Sequence, residues 1–132
     1  MLKQFSINTG SREELKDITG IIEDFISGSG ISDGICTVFI PHTTAAVTIN
    51  ENGDPSVKSD ILNFLSKKIP VSDEFRHMEG NSDAHIKCSL FGASETLFFR
   101  KGRLVLGTWQ SVYFSEFDGP RSRSFYVKLT GD

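Results

Sequence analysis

A chain of 132 residues suits one domain and is short for two. Its 38% apolar and 23% charged content exclude a disordered chain, and roughly two-thirds of the unfolded surface can be buried at this size without disulfide staples. A formal net charge of −3 argues against nucleic acid as the main partner, because a phosphate backbone wants a basic face.

In chain order, Leu2–Asn8 carries Phe5 and Ile7 in alternation and reads as a first strand. Ser11 to Glu14 has capping-box spacing, and Leu15, Ile18, Ile21, Ile22, Phe25 and Ile26 follow at helical intervals. The pattern predicts a core-packed helix from Arg12 to about Ser27, stopped by Gly28 and Gly30. Gly34–Ile40 is a strand ended by Pro41, which cannot donate to a ladder, and Ala45–Asn50 is a second strand after a polar break. Asp54 and Pro55 open a helix as N-cap and first helical residue; Val57, Ile61, Phe64 and Leu65 give it an apolar side, and Pro70 closes it. Val71–Asp83 lacks apolar periodicity and reads as a long polar loop, a kind of segment that is often functional. Strand-like segments follow at His85–Phe91, Glu95–Arg100 and Arg103–Phe117, with a turn at Lys101–Gly102 between the last two. After a break at Asp118–Arg121 the chain ends in a strand, Ser124–Thr130.

This order predicts one α+β domain over residues 1–132, with a mostly antiparallel or mixed sheet and two main helices packed on it. The 11 phenylalanines point to an aromatic-rich core or a subunit interface. Cys36 and Cys88 both sit in apolar runs and read as small buried hydrophobes, in keeping with a reducing cytoplasm. Met1–Gly10 has no apolar signal core, and no apolar run approaches the ~20 residues of a membrane helix, so no membrane partner is expected.

The chemistry-bearing residues cluster. All three histidines, His42, His77 and His85, lie in polar segments. Thr43 and Thr44 follow His42 at a strand end, and hydroxyls beside a histidine suit phosphate or metal-bound water; ordinary turn chemistry is the alternative. His77 and His85 flank Glu79, Asn81 and Asp83. Three imidazoles with nearby carboxylates match the ligand count of a catalytic zinc site, Glu79 and Asp83 orienting the rings; separate hydrogen-bonding histidines are the alternative. Trp109 reads as core or as a ligand platform, and the adjacent Gln110 amide could fix a ligand's polar edge. Glu116 and Asp118 share one strand face, the pairing used for acid–base work or for holding Mg²⁺, with Arg121 beside them to take phosphate; a turn with a structural Asp–Arg pair is the alternative. Arg121 and Arg123 form a second basic cluster after Arg100, Lys101 and Arg103, read either as solvated patches or as a local basic pocket.

Taken together, Pro41–Ala45, Asn50–Pro55, His77 with Glu79–His85, Leu106–Gln110 and Glu116–Arg121 resemble the YjbQ-like family, also called secondary thiamine-phosphate synthases, over nearly the whole chain and in order. The resemblance implies a homotrimer with weak thiamine-phosphate synthase activity, joining an aminopyrimidine diphosphate to a thiazole phosphate with release of pyrophosphate. It implies a small phosphorylated metabolite as substrate and sites among the motif positions. On that basis Glu51, Asp83, Glu116 and Asp118 are candidate catalytic residues. Thr43, Thr44, Asn81, Ser82, Trp109, Gln110 and Arg121 are candidate substrate contacts, and His42, His77 and His85 candidate ligands of a divalent metal, Zn or Mg. A metal-dependent hydrolase or transferase on another phosphorylated metabolite, and a non-catalytic metabolite-binding trimer, remain as alternatives.

Overall fold

Alternation along the strands builds two antiparallel sheets. In the computed structural model, which describes residues 1–132, the elements are β1 (Leu2–Asn8), β2 (Glu14–Asp17), α1 (Thr19–Ser29), β3 (Gly34–Phe39), β4 (Ala45–Glu51), α2 (Pro55–Lys68), α3 (Ser82–Phe91), β5 (Ser94–Arg100), β6 (Arg103–Leu104), β7 (Gln110–Glu116) and β8 (Ser122–Gly131). A five-stranded sheet runs in the order β1-β8-β3-β5-β6, and a three-stranded sheet in the order β2-β7-β4. Every pairing is antiparallel.

Cys36 and Val38 of β3, Leu97 and Phe99 of β5, and Phe125, Val127 and Leu129 of β8 turn inward in phase. They meet Val47, Val112 and Phe114 of the smaller sheet and Ile18, Ile22 and Ile26 around α1. A second, smaller core joins Ala46 and Phe117 to Leu65 of α2 and to Ala84 and Cys88 of α3. The three-stranded sheet is thus covered on both faces, which explains why β7 is buried continuously from Ser111 to Glu116 rather than at alternate residues. The other face of the larger sheet carries Ile35, Phe39 and Phe98, all exposed. Both cysteines are buried and free, and no helix is long and apolar enough to cross a membrane.

The α+β class and single domain agree with the sequence reading, but three helices form rather than two. Residues 85–91 belong to α3, not to a strand. The positions that α3 buries, Asp83, Ala84, Lys87 and Cys88, have helical spacing, yet two of them are charged, so a reading based on apolar periodicity passes over them. The helix expected from Arg12 begins only at Thr19. Glu14–Asp17 pairs with β7 instead, and Asp17 Oδ1 accepts from the Thr19 amide at 2.9 Å. A tertiary ladder has overridden local spacing there, and Glu14, the would-be capping-box residue, closes a turn by accepting from the Gly10 amide at 2.7 Å. Residues 103–117 split into β6 and β7 around a turn at Gly107–Gln110.

Other expectations held. Asp54 accepts from the Ser56 amide at 2.9 Å with Pro55 opening α2, although Phe64 of its expected apolar side is exposed. The Lys101–Gly102 turn has positive φ at both residues, 54° and 73°, as a tight hairpin between β5 and β6 requires. Gly34 is set by close approach: a Cβ there would collide with the Thr130 carbonyl oxygen across the β3–β8 ladder and lie 2.9 Å from the Phe99 ring. Gly34→Ala is therefore expected to cost about 1–3 kcal/mol of stability. Urea unfolding reads this directly, and an unchanged midpoint would contradict the close packing.

Candidate functional site

Three chain segments meet at one end of the three-stranded sheet. The β3–β4 connection brings Pro41, His42, Thr43 and Thr44. The approach to α3 and its first turn bring His77, Glu79, Asn81 and His85. The β7–β8 connection brings Asp118, Arg121 and Arg123. Together they line a predominantly polar cleft of about 460 Å³, in which the Pro41 ring is the one apolar side chain.

The His77 and His85 rings stand edge to face, with centroids 5.2 Å apart, and His77 Nε2 lies 3.9 Å from Glu79 Oε1. His42 Nε2 is 3.1 Å from both the amide nitrogen and the carbonyl oxygen of Ser124. Burial, followed by the Arg123 charge, pulls the His42 pKa below the ordinary imidazole value, against opposing pulls from the Ser124 backbone and Glu116. A neutral ring accepting from the Ser124 amide through Nε2 carries its proton on Nδ1. Asn81 Nδ2 donates to Asp118 Oδ2 at 2.7 Å. Arg121 donates to the same oxygen through Nη2 at 2.9 Å and to the Asp118 carbonyl through Nε at 2.7 Å.

Imidazole nitrogens with the carboxylates of Glu79 and Asp118 are a donor set of the right kind for a divalent ion. In this conformation no three His, Cys, Asp or Glu side chains converge on one point. A shared ion would need side-chain rotation, for which His77, with 43% of its side chain exposed, has room.

The remaining candidates lie elsewhere. Asp83 is fully buried in an ionic network: Arg12 reaches both its oxygens at 3.0 Å, and Lys87 Nζ reaches Oδ2 at 3.0 Å and Glu13 Oε1 at 2.6 Å. Glu116 is also fully buried. It accepts from Arg123 through both oxygens, from Thr9 Oγ1 at 2.7 Å and from the Asp118 amide at 3.1 Å. Asp83 and Glu116 are thus occupied in ion pairs and are not in the cleft wall. Ser82 opens α3 next to Asn81. Glu51, Trp109 and Gln110 sit at the other end of the small sheet. Glu51 pairs with Gln110 six residues along the ladder from the Ala45–Glu116 pair, roughly 20 Å away at about 3.3 Å per residue. Trp109 is 63% exposed and lies against Gly53, and Gln110 Oε1 accepts from the Gly107 amide at 2.8 Å, which satisfies it as a turn residue.

Arg123 is the residue whose role the sequence reading missed. It is 8% exposed, not a solvated surface cation, and its Nη2 also donates to Thr44 Oγ1 at 2.8 Å. The signal was its phase: it falls on β8 in step with Phe125, Val127 and Leu129, all buried.

The family model described as UPF0047 protein YjbQ-like matches residues 3–132. The UPF0047 protein MJ1081 of Methanocaldococcus jannaschii is 58% identical over 132 residues, covering 100% of this chain and 96% of the relative. The UPF0047 protein YugU of Bacillus subtilis is 50% identical, covering 99% and 100%. A crystal structure of an uncharacterised conserved protein of the same family from Clostridium acetobutylicum superposes with a TM-score of 0.94 at 48% identity, covering 97% of this chain and 99% of that one. A YbjQ-like protein of unknown function from Sulfolobus solfataricus superposes with a TM-score of 0.93 at 34% identity, covering 100% and 97%.

Proposed function

The chain belongs to the YjbQ-like UPF0047 family, and we propose that it is an enzyme acting on a small phosphorylated metabolite in the cleft of His42, His77 and His85. The observation that carries this reading is the meeting of three imidazoles, Arg121 and the start of α3 in one predominantly polar cleft. The reaction within its reach is thiamine-phosphate formation, in which a thiazole nitrogen bonds the pyrimidine methylene as the bond to pyrophosphate breaks. The leaving pyrophosphate carries the growing negative charge. Arg121 and the free backbone amides at the start of α3 are suited to meet it. His77 and His85 are suited to hand a proton to its oxygens. A divalent ion bound by the imidazoles, Zn²⁺ or Mg²⁺, would supply further charge neutralisation.

The predominantly polar wall also favours a second reading. Heteroaromatic rings gain little from such a surface, so thiamine-phosphate formation would be slow, and hydrolysis or transfer on a more polar phosphorylated metabolite would be the faster reaction. We further propose a homotrimer, as the family resemblance implies; the exposed Ile35, Phe39 and Phe98 give the larger sheet an apolar face for a subunit contact, and light scattering that gives a mass other than that of a trimer would refute it. The two free, buried cysteines are in keeping with a cytoplasmic protein.

Thiamine-phosphate formation with Mg²⁺ or Zn²⁺ added tests the main reading. His77→Ala and His85→Ala are each expected to lower the rate about a hundredfold or more. No product from the parent, or equal rates from all three proteins, would sink it. Metal-dependent phosphate release from a panel of other phosphorylated metabolites, faster than thiamine-phosphate formation, would establish the second reading.

A further inference from the structure

Asn81 lines the cleft, and its side-chain oxygen is buried and left without a partner by the chain. Asn81 is 7% exposed, and its amide nitrogen is turned to two carboxylates: Asp118 Oδ2 at 2.7 Å and, more distantly, Glu79 Oε2 at 3.5 Å. This fixes the orientation of the amide. Flipping it would set its oxygen against Asp118, and Arg121 pins that carboxylate in turn at 2.9 Å. Oδ1 is therefore held as an acceptor, and it meets no donor of the chain. The first residue before a helix commonly caps it with its side chain, yet Asn81 makes no such bond; the Ala84 and His85 amides are taken by its backbone carbonyl instead. A buried acceptor without a donor costs stability, and such an exception in a folded protein calls for a functional account.

Building on the phosphorylated-metabolite reading above, we infer that the Asn81 side chain determines specificity by accepting a hydrogen bond from an amino or hydroxyl group of the ligand. An ionised phosphate oxygen offers no proton and would be repelled by an amide oxygen, so Asn81 is matched to an amino or hydroxyl donor on the part of the ligand that is not phosphate. Arg121, Asp118 and Asn81 then form a relay with divided roles. Asp118 orients the amide, Arg121 holds Asp118, and Oδ1 reads the donor. A ligand lacking that group would leave Oδ1 unmatched, which is how a site built on a polar contact rejects an analogue.

The test is calorimetric binding, in Mg²⁺, of three probes: an aminopyrimidine diphosphate, the same compound with hydrogen in place of its amino group, and inorganic pyrophosphate. The parent is expected to prefer the amino compound about tenfold over its deamino analogue. Asn81→Leu should erase that preference, lowering the affinity for the amino compound more than that for pyrophosphate. Asn81→Asp, which keeps an acceptor in place, should retain the preference. Should Asn81→Leu fail to fold, Asp118→Asn serves in its place, since it frees the amide to turn and should weaken the preference. Equal binding of the two pyrimidines by the parent overturns the inference while leaving the phosphate reading intact. An unchanged preference in Asn81→Leu, an equal fall for all three probes, or loss of Mg²⁺ affinity alone also overturns it. A parent that binds none of the three overturns the phosphate reading and the inference together.

Discussion

Replacing Asp83 by alanine is expected to lower the unfolding free energy by about 3–5 kcal/mol, the usual cost of removing one partner from a buried ionic network. Asp83 is 0% exposed and stands between Arg12 and Lys87. Arg12 is 39% exposed along its side chain and can turn to water once its partner is gone. Lys87 cannot: it is 1% exposed, and its ammonium would be left with Glu13 alone. Most of the cost therefore falls on Lys87. Asp83→Leu combined with Lys87→Met should recover much of the loss, because apolar groups of similar volume need no partner. The four proteins of this cycle, unfolded in urea, give the coupling directly, and additive single effects would contradict a shared network. Acid gives a second signature. Burial by itself raises the Asp83 pKa, but the hydrogen bonds from Arg12 and Lys87, with their charges, outweigh it and hold the carboxyl below the ordinary value. Its contribution is thus complete above the unfolded-state carboxylate pKa and is lost as pH falls through the lower folded value. The same network fixes α3, the helix that carries Asn81 and His85 to the cleft, against the chain before β2 and, through Glu13 and Ser66, against α2.

The sequence made the strands legible where one face is buried and the other is not. β1, β3 and β8 alternate, and their bounds fall close to those read from the pattern. It failed where charge replaced apolarity inside the fold. Lys87 and Asp83 occupy buried helical positions of α3, and Arg123 occupies a buried strand position of β8. In each case the periodicity is intact and only the hydrophobicity is missing. The site was legible in part for a different reason. Motif residues can be recognised without knowing where the chain takes them. His42, Thr43, Asn81, His85, Asp118 and Arg121 do reach one cleft, whereas Glu51, Trp109 and Gln110 lie at the far end of the same sheet. That separation follows from strand length, which the sequence showed, and from the β4–β7 register, which it did not.

The second large effect concerns Glu116 and Arg123, and it has a sign that distinguishes it from ordinary loss of packing. Arg123→Met is expected to cost about 3–5 kcal/mol near neutral pH, because Glu116, 0% exposed, would keep only Thr9 and the Asp118 amide as donors. In the parent, burial pushes the Glu116 carboxyl up, and the hydrogen bonds from Arg123, Thr9 and the Asp118 amide, together with the Arg123 charge, bring it below the ordinary value. Its stabilising contribution is present above the unfolded carboxylate pKa and falls away as pH drops through the folded one. Without Arg123 the balance reverses, since burial then dominates and raises the pKa above the unfolded value. A carboxyl of that kind takes up a proton on folding, so acid favours the folded variant. The stability gap between parent and variant should therefore narrow as pH falls from about 7 toward about 4. Chemical denaturation at several pH values in that interval measures the gap; one that stays constant would mean that Arg123 acts through its volume and not its charge. Arg123 also holds Thr44 in the cleft wall, and Ser124, the next residue on β8, meets the His42 ring. The variant should accordingly disturb the cleft at pH values where the fold survives, which joins the buried pair to the site through two adjacent residues of one strand.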